Sequence, residues 1–168
     1  MNYSKYINQA VAMGANNTVP FTIDQIAFDP RVVLKCMFGC PTFGNAHTCP
    51  YQKSPLSMDE YREIFQKYSG GIIIGCSDKH TSQEISYEIE RQAFLDGYYF
   101  AFSLSDCGLC KACTKTVNKD CAHPGKARPA FHAVGIDVFK TVNQLNLPLK
   151  VALTREDELN WYSAVFIE

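Results

Sequence analysis

Apolar residues recur at helical spacing in two segments that also carry start and stop signals for helices. Ser57-Met-Asp-Glu60 has the form of a capping box, apolar residues follow on one face, and Gly70 marks the exit. Thr81-Ser-Gln-Glu84 has the same form and is followed by a second apolar face that ends before Gly97. These signals predict two amphipathic helices.

Between the two predicted helices lies a continuous apolar run rich in β-branched residues, Gly71-Ile-Ile-Ile-Gly-Cys76. A short run of this kind, bounded by glycine, is typical of a buried strand. Apolar residues also dominate residues 98–104 and 161–167, which predict two more strands. Residues 21–28 alternate enough to predict a fourth.

The order of these elements predicts the fold class. Strand, helix, strand is the pattern of crossover connections, and Asp137 is placed to cap a further helix running to about Leu145. We therefore expect one α/β domain over residues 1–168, with a mostly parallel or mixed sheet and crossover helices. The segment from Cys107 to Arg128 has no apolar periodicity and contains glycine and proline, so it is predicted to be a cysteine-rich, metal-binding loop insertion.

Composition narrows the class of protein. The chain has 168 residues, which is the size of one domain, with 46% hydrophobic, 20% charged and 12% aromatic residues. Lys and Arg total 16 against 17 for Asp and Glu, so a net charge of -1 gives no electrostatic basis for binding nucleic acid or a membrane surface. No apolar run approaches the roughly 20 residues of a spanning helix, and the first residues lack a signal core. We expect a cytoplasmic protein, and composition leaves its oligomeric state open.

Cysteine is the residue type that points to chemistry. Eight cysteines in 168 residues are too few for a small disulfide scaffold, and no export signal accompanies them. In a reducing compartment, thiols at this density are better interpreted as metal ligands or as small buried apolar residues.

The strongest spacing is Cys107-Gly-Leu-Cys110-Lys-Ala-Cys113, followed by Cys121. Three cysteines separated by two residues allow successive thiolates to reach three corners of an iron–sulfur cubane, and Cys121 is the natural fourth ligand. A structural zinc site with four thiolates is the alternative. Zinc favours two separated cysteine pairs rather than a run of three, so a [4Fe-4S] cluster is preferred over zinc.

A second group contains Cys36, Cys40 and Cys49, in a loop of about residues 36–50 that is rich in turn-forming residues. The remaining Cys76 leaves two arrangements open. If Cys76 joins this group, two fully ligated cubanes use all eight cysteines. If Cys76 is instead a buried apolar residue, the second cluster has three protein ligands and one open iron.

The loop from residue 107 to 128 is also basic. Its positive charges can stabilise a negatively charged thiolate cluster, bind an acidic redox partner protein, or belong to a solvated loop with no role in binding. The cations are Lys111, Lys115, Lys119, Lys126 and Arg128, against the single acid Asp120.

Taken together, these motifs resemble a family of prokaryotic predicted metal-binding proteins with two cysteine clusters, one of them a ferredoxin-like iron–sulfur loop. The resemblance follows the chain in order from about residue 30 to 140. It rests on Cys36-x3-Cys40-Pro, Cys49-Pro50, Cys107-x2-Cys110-x2-Cys113 and Cys121-x-His-Pro. It implies metal binding and an anaerobic setting, and it implies no particular reaction.

Three functions follow from this sequence. The first is an electron-transfer or redox module that binds one or two [4Fe-4S] clusters. The second is an enzyme that binds substrate or sulfide at a three-cysteine cluster with an open iron, for which His47 and Tyr51 are the residues to test. The third is an interaction module that zinc stabilises.

Overall fold

A computed structural model describes residues 2–52, 56–114, 120–149, 154, 157 and 159–168. Its helices are α1 (Ser4–Ala12), α2 (Val33–Gly39), α3 (Met58–Phe65), α4 (Lys79–Leu95) and α5 (Val138–Gln144). Its strands are β1 (Asn17–Thr22), β2 (Gly70–Cys76), β3 (Phe102–Leu104) and β4 (Trp161–Phe166). The predicted α/β class is confirmed.

The four strands form one sheet in the order β1-β2-β4-β3. Each neighbouring pair is antiparallel, which differs from the mostly parallel or mixed sheet predicted from the sequence. The difference has a simple origin. The crossover through α4 does give β2 and β3 the same direction, but it leaves a gap one strand wide between them. Strand β4 fills that gap in the opposite direction, as in a split βαβ unit.

Capping residues in the local sequence determine where the helices α3, α4 and α5 begin. Ser57 caps α3 as predicted: its Oγ accepts a hydrogen bond from the Glu60 N–H at 3.2 Å, and the Glu60 carboxylate accepts from the Ser57 N–H at 2.7 Å. The predicted Asp137 cap of α5 is also present. Helix α4 begins earlier than predicted, because Asp78 caps it by accepting from the Thr81 N–H at 2.8 Å.

Two strands differ in extent from the sequence prediction. Strand β3 covers only Phe102–Leu104, since the preceding residues form a turn in which the Ala101 N–H donates to the Tyr98 carbonyl at 3.0 Å. Strand β1 ends at Thr22, where a 3-10 turn over Ile23–Gln25 redirects the chain.

Helices cover both faces of the sheet. Ile72 and Ile74 of β2 pack in one core that includes residues of α1 and α4, while Ile73 packs in the opposite core with residues of α3 and α5. Every residue of β2 is therefore buried, which explains its unbroken apolar sequence. In the part of the chain that is described, no helix is long and apolar enough to cross a membrane.

The cysteines are related to one edge of the sheet, namely the edge formed by strand ends. Strands β2 and β3 both end there and β4 begins there, with Cys76 opposite Trp161. The chain leaving β3 continues directly into Asp106 and Cys107. Residues 107–114 and 120–128 contain no strand and no α-helix, and a 3-10 turn covers Pro124–Lys126, which agrees with the predicted loop insertion.

Candidate metal centre

Seven of the eight cysteines line one cavity of about 1000 Å³ at this sheet edge. They come from two segments about 60 residues apart in the sequence, which only the fold brings together. They are the seven predicted as ligands: Cys36, Cys40, Cys49, Cys107, Cys110, Cys113 and Cys121.

We number the two cysteine loops in chain order, so that residues 36–50 form the first loop and residues 107–128 the second. The second loop gathers four of these thiols around Cys110. Burial raises the pKa of the Cys110 thiol, and the nearby Cys107, Cys121 and Cys113 raise it further through their negative charge. Thiols that oppose one another's ionisation in this way are close together. A cation bound among them would favour the deprotonated form of each.

The first loop gathers the other three thiols around Cys36, which lies on α2 and is only 5% exposed. Burial, followed by the charges of Cys40, Cys49 and Asp106, raises the pKa of Cys36 to about 11. Gly44 shapes the turn with a φ of 70°, a conformation that favours glycine, and its N–H donates to Cys49 Sγ at 3.3 Å.

The two loops meet across the cavity. His47 Nε2 of the first loop lies 3.4 Å from Thr114 Oγ1 of the second, and Thr114 Oγ1 donates to the Asp120 carbonyl at 2.7 Å. Asp106 precedes Cys107 and also contributes to the electrostatic environment of Cys36. The two loops are therefore in contact through His47 and Thr114, and Asp106 of the second segment affects Cys36 of the first.

Helix α4 fastens the base of the second loop through Gln83, which is fully buried. Its Oε1 accepts from the Gly108 N–H at 2.6 Å, and its Nε2 donates to the Lys126 carbonyl at 3.1 Å. One side chain thus holds both ends of the loop. Gly108 makes this approach possible, because a Cβ there would lie 2.9 Å from the His80 nitrogen and 2.9 Å from the Lys79 carbonyl carbon.

Ion pairs with α4 continue this attachment. Lys126 Nζ lies 2.8 Å from Glu84 Oε2, and the Arg128 guanidinium binds the Glu90 carboxylate, which also accepts from Ser103 Oγ at 2.6 Å. The predicted basic character of the loop is therefore reduced, since two of its five cations are paired with helix carboxylates. Lys111 is exposed, while Lys115 and Lys119 lie outside the described residues.

Cys76 lies apart from the other seven cysteines. It is 2% exposed and packs in the core that includes α1 and α4 residues, and it does not line the cavity. Burial is the main cause that raises the pKa of its thiol, to about 11. Of the two arrangements that the sequence leaves open, the geometry favours Cys76 as a buried apolar residue.

The donor set consists of thiols, which suit a soft metal ion or a metal–sulfur cluster. Thiolates are the ligands that iron–sulfur clusters and zinc both use. In a tetrahedral zinc site the sulfurs lie about 3.8 Å apart. Among the described residues, no three Cys, His, Asp or Glu side chains form a group that could hold one ion. What the cysteines share is a cavity at the upper end of the range for small-molecule pockets, roughly 300–1,000 Å³.

The family model for "Predicted metal-binding protein (DUF2284)" matches residues 20–167. The chain belongs to this family. The match covers both cysteine loops and confirms the family resemblance inferred from the sequence. No curated protein and no solved structure matches the chain. For this member of the predicted metal-binding family, the cavity lined by seven cysteines is the candidate metal centre.

Sequence reasoning missed part of the cavity wall. Lys79, Asp106 and Trp161 also line it, and Lys79 Nζ lies 5.3 Å from the centre of the Trp161 ring. No motif marks these residues. The one available signal was that Trp161, the only tryptophan of the chain, begins a predicted strand.

Proposed function

We propose that this protein binds iron–sulfur clusters in the seven-cysteine cavity and acts as a redox module in the reducing cytoplasm of an anaerobic prokaryote. The observation that carries the proposal is the convergence of seven cysteines, from two distant loops, on one cavity. A structural role alone would need fewer thiols, since four satisfy a zinc ion.

The two groups of thiols would hold two clusters. Cys107, Cys110, Cys113 and Cys121 would ligate one [4Fe-4S] cluster. Cys36, Cys40 and Cys49 would ligate the other. A bound cluster supplies reversible one-electron transfer, at a potential that hydrogen bonds and solvent exposure adjust.

Electron transfer requires a cluster that is held rigidly and that a partner protein can approach, and two features of the protein support these conditions. Gln83 and the ion pairs of α4 hold the second loop to a rigid helix, which limits movement of its thiols. Cys40, Cys107 and Cys113 are exposed, so both groups reach the surface, where a redox partner protein would bind. The exposed Lys111 beside Cys110 supports a partner with an acidic surface.

A second candidate function is an enzyme, and one observation favours it. With Cys76 buried in the core, the first loop offers three thiols rather than four, which leaves one position of its cluster open to another ligand. His47 and His132 line the cavity, where a bound substrate would lie beside them. Tyr51 is not among the cavity-lining residues.

The test is the iron, acid-labile sulfide and zinc content of anaerobically purified protein. Two clusters predict about eight irons per chain with matching sulfide, and electron paramagnetic resonance would show whether one cluster changes its signal when cyanide or azide is added. Cys76→Ala is the matched control and should keep the full iron content. Zinc without sulfide would contradict the proposal and favour a structural zinc module.

A further inference from the structure

A second, smaller cavity adjoins the seven-cysteine cavity and contains no cysteine. Its volume is about 210 Å³, and it lies between α5 and the start of β4. Three residues, Asp106, His132 and Trp161, line both cavities, so together they form the boundary between them. We call the smaller cavity the apolar slot.

The walls of the slot determine what can enter it. Phe131, Val138, Leu149 and Leu159 contribute apolar side chains, and Tyr162 closes one side with its hydroxyl donating to the Pro148 carbonyl. An apolar cavity of about 150 Å³ is large enough to bind benzene. The slot therefore has room for one six-membered ring or a branched aliphatic group of similar size.

The charge at the boundary between the two cavities determines which head group a ligand in the slot can carry. Among the described residues that line either cavity, Asp106 is the only carboxylate, and these residues include no ion pair of Asp106. Lys79 lines only the large cavity, where its ammonium lies against the Trp161 ring. A ligand whose ring fills the slot would place its head group at Asp106, where a cation is favoured.

We propose that the apolar slot binds a small primary amine with a ring-sized apolar body, whose ammonium group pairs with Asp106 at the boundary of the metal cavity. The proposal rests on the two cavities and their shared wall, and it holds whether or not the cysteines bind iron. If they do, the ligand's head group would lie beside the proposed clusters, which is where a substrate would bind if the protein is an enzyme.

The test uses calorimetric titration of the purified 168-residue chain, with Trp161 fluorescence as a second readout because this is the only tryptophan and it lines the shared wall. The probes are benzylamine, benzyl alcohol, benzoate and methylamine. Benzylamine should bind saturably and about tenfold more tightly than benzyl alcohol, as expected for one charge-assisted hydrogen bond. Benzoate and methylamine should bind more weakly than either.

Two variants locate the site. Asp106→Asn should remove the preference for benzylamine over benzyl alcohol while benzyl alcohol still binds. Val138→Phe should fill the slot and weaken both ring probes, whereas Asn143→Phe, at an exposed position of the same helix, should leave them unchanged. Metal content and circular dichroism of each variant confirm that it has folded.

Three results would overturn the proposal. The first is benzoate binding at least as tightly as benzylamine. The second is no saturable binding of any ring probe. The third is binding that Val138→Phe leaves intact, because the ligand would then occupy another site.

Discussion

The two cysteine loops reach the same cavity by different means. In the first loop, Cys36 is carried by a short helix and its neighbours are positioned by tight turns of the local backbone. In the second loop, no regular element carries a cysteine, and the loop is positioned by polar side chains of α4 that hold its two ends. The comparison shows that one site can depend on local chain geometry on one side and on long-range contacts on the other.

The loops also differ in the number of thiols and in their exposure. The first has three cysteines and buries Cys36 almost completely, while the second has four and exposes Cys107 and Cys113. If each loop holds its own cluster, the two clusters should be separable by mutation. The four predictions below test this separation, beginning with the largest expected effect.

Removing one central thiol from each loop should remove one cluster at a time. Cys110→Ala should lower the iron content from about eight to about four per chain, and Cys40→Ala should do the same for the other cluster. The two variants should retain different electron paramagnetic resonance signals. Loss of all iron in either variant would show that the seven thiols form one interdependent site.

Replacing the buried amide of α4 should destabilise the second loop in particular. Gln83→Leu leaves the Gly108 N–H and the Lys126 carbonyl without their partner, which should lower the free energy of unfolding by about 2–4 kcal/mol. Urea unfolding measures this cost, and the iron of the four-cysteine cluster should become easier to remove with a chelator.

The control for this substitution lies on the same helix. Gln92 makes one exposed hydrogen bond, from its Nε2 to Asp96 Oδ1 at 3.0 Å. Gln92→Leu should change the stability by less than about 0.5 kcal/mol. Equal losses of stability at the two positions would show that the effect of Gln83→Leu does not come from its contacts with the second loop.

Adding one methyl group at the base of the second loop tests how closely α4 approaches it. Gly108→Ala should cost about 1–3 kcal/mol, because the new Cβ would meet backbone atoms of Lys79 and His80 that cannot easily move. Gly125→Ala in the same loop has no atom within 4 Å of its Cβ and should be neutral. Thermal unfolding of the two variants measures the difference.

The smallest effect concerns the eighth cysteine, which belongs to neither loop. Because burial raises the pKa of Cys76 to about 11, its reactive thiolate should be scarce at pH 8 and should increase only as the pH approaches 11. After chelation of the metal, iodoacetamide should label the exposed Cys40 and leave Cys76 unmodified until the chain is unfolded. Mass spectrometry of the labelled peptides would check this, and rapid labelling of Cys76 would contradict its burial.

Local signals in the sequence predicted much of the secondary structure. The Ser57 and Asp137 caps and the run from Gly71 to Cys76 are each determined by a few neighbouring residues, and all three are present in the structure. Helix α2 gave no such signal: its sequence, VLKCMFG, ends in glycine and lacks a side-chain cap. The sequence therefore predicted the first loop as turns, although Cys36 is helical.

The sequence could not show which residues far apart in the chain contact one another. The insertion of β4 between β2 and β3 depends on which faces can be covered together, and strand patterns do not encode it. The predicted crossover through α4 is present, since β2 and β3 run in the same direction. Gln83 looked like an ordinary helix residue, since its role depends on Gly108 and Lys126, which follow it by 25 and 43 positions.

The position of β4 also has a consequence for how the protein is made on the ribosome. Of the four strands it is translated last, yet it lies between β2 and β3, and within the described residues β3 pairs with no other strand. During synthesis, β3 and the Asp106–Cys107 segment after it therefore have no sheet neighbour until residues 161–166 have left the exit tunnel. Domains fold as units as the chain emerges. We therefore expect the cavity to be completed only after residues 161–166 have emerged, so that metal loading follows the synthesis of β4 and does not guide it.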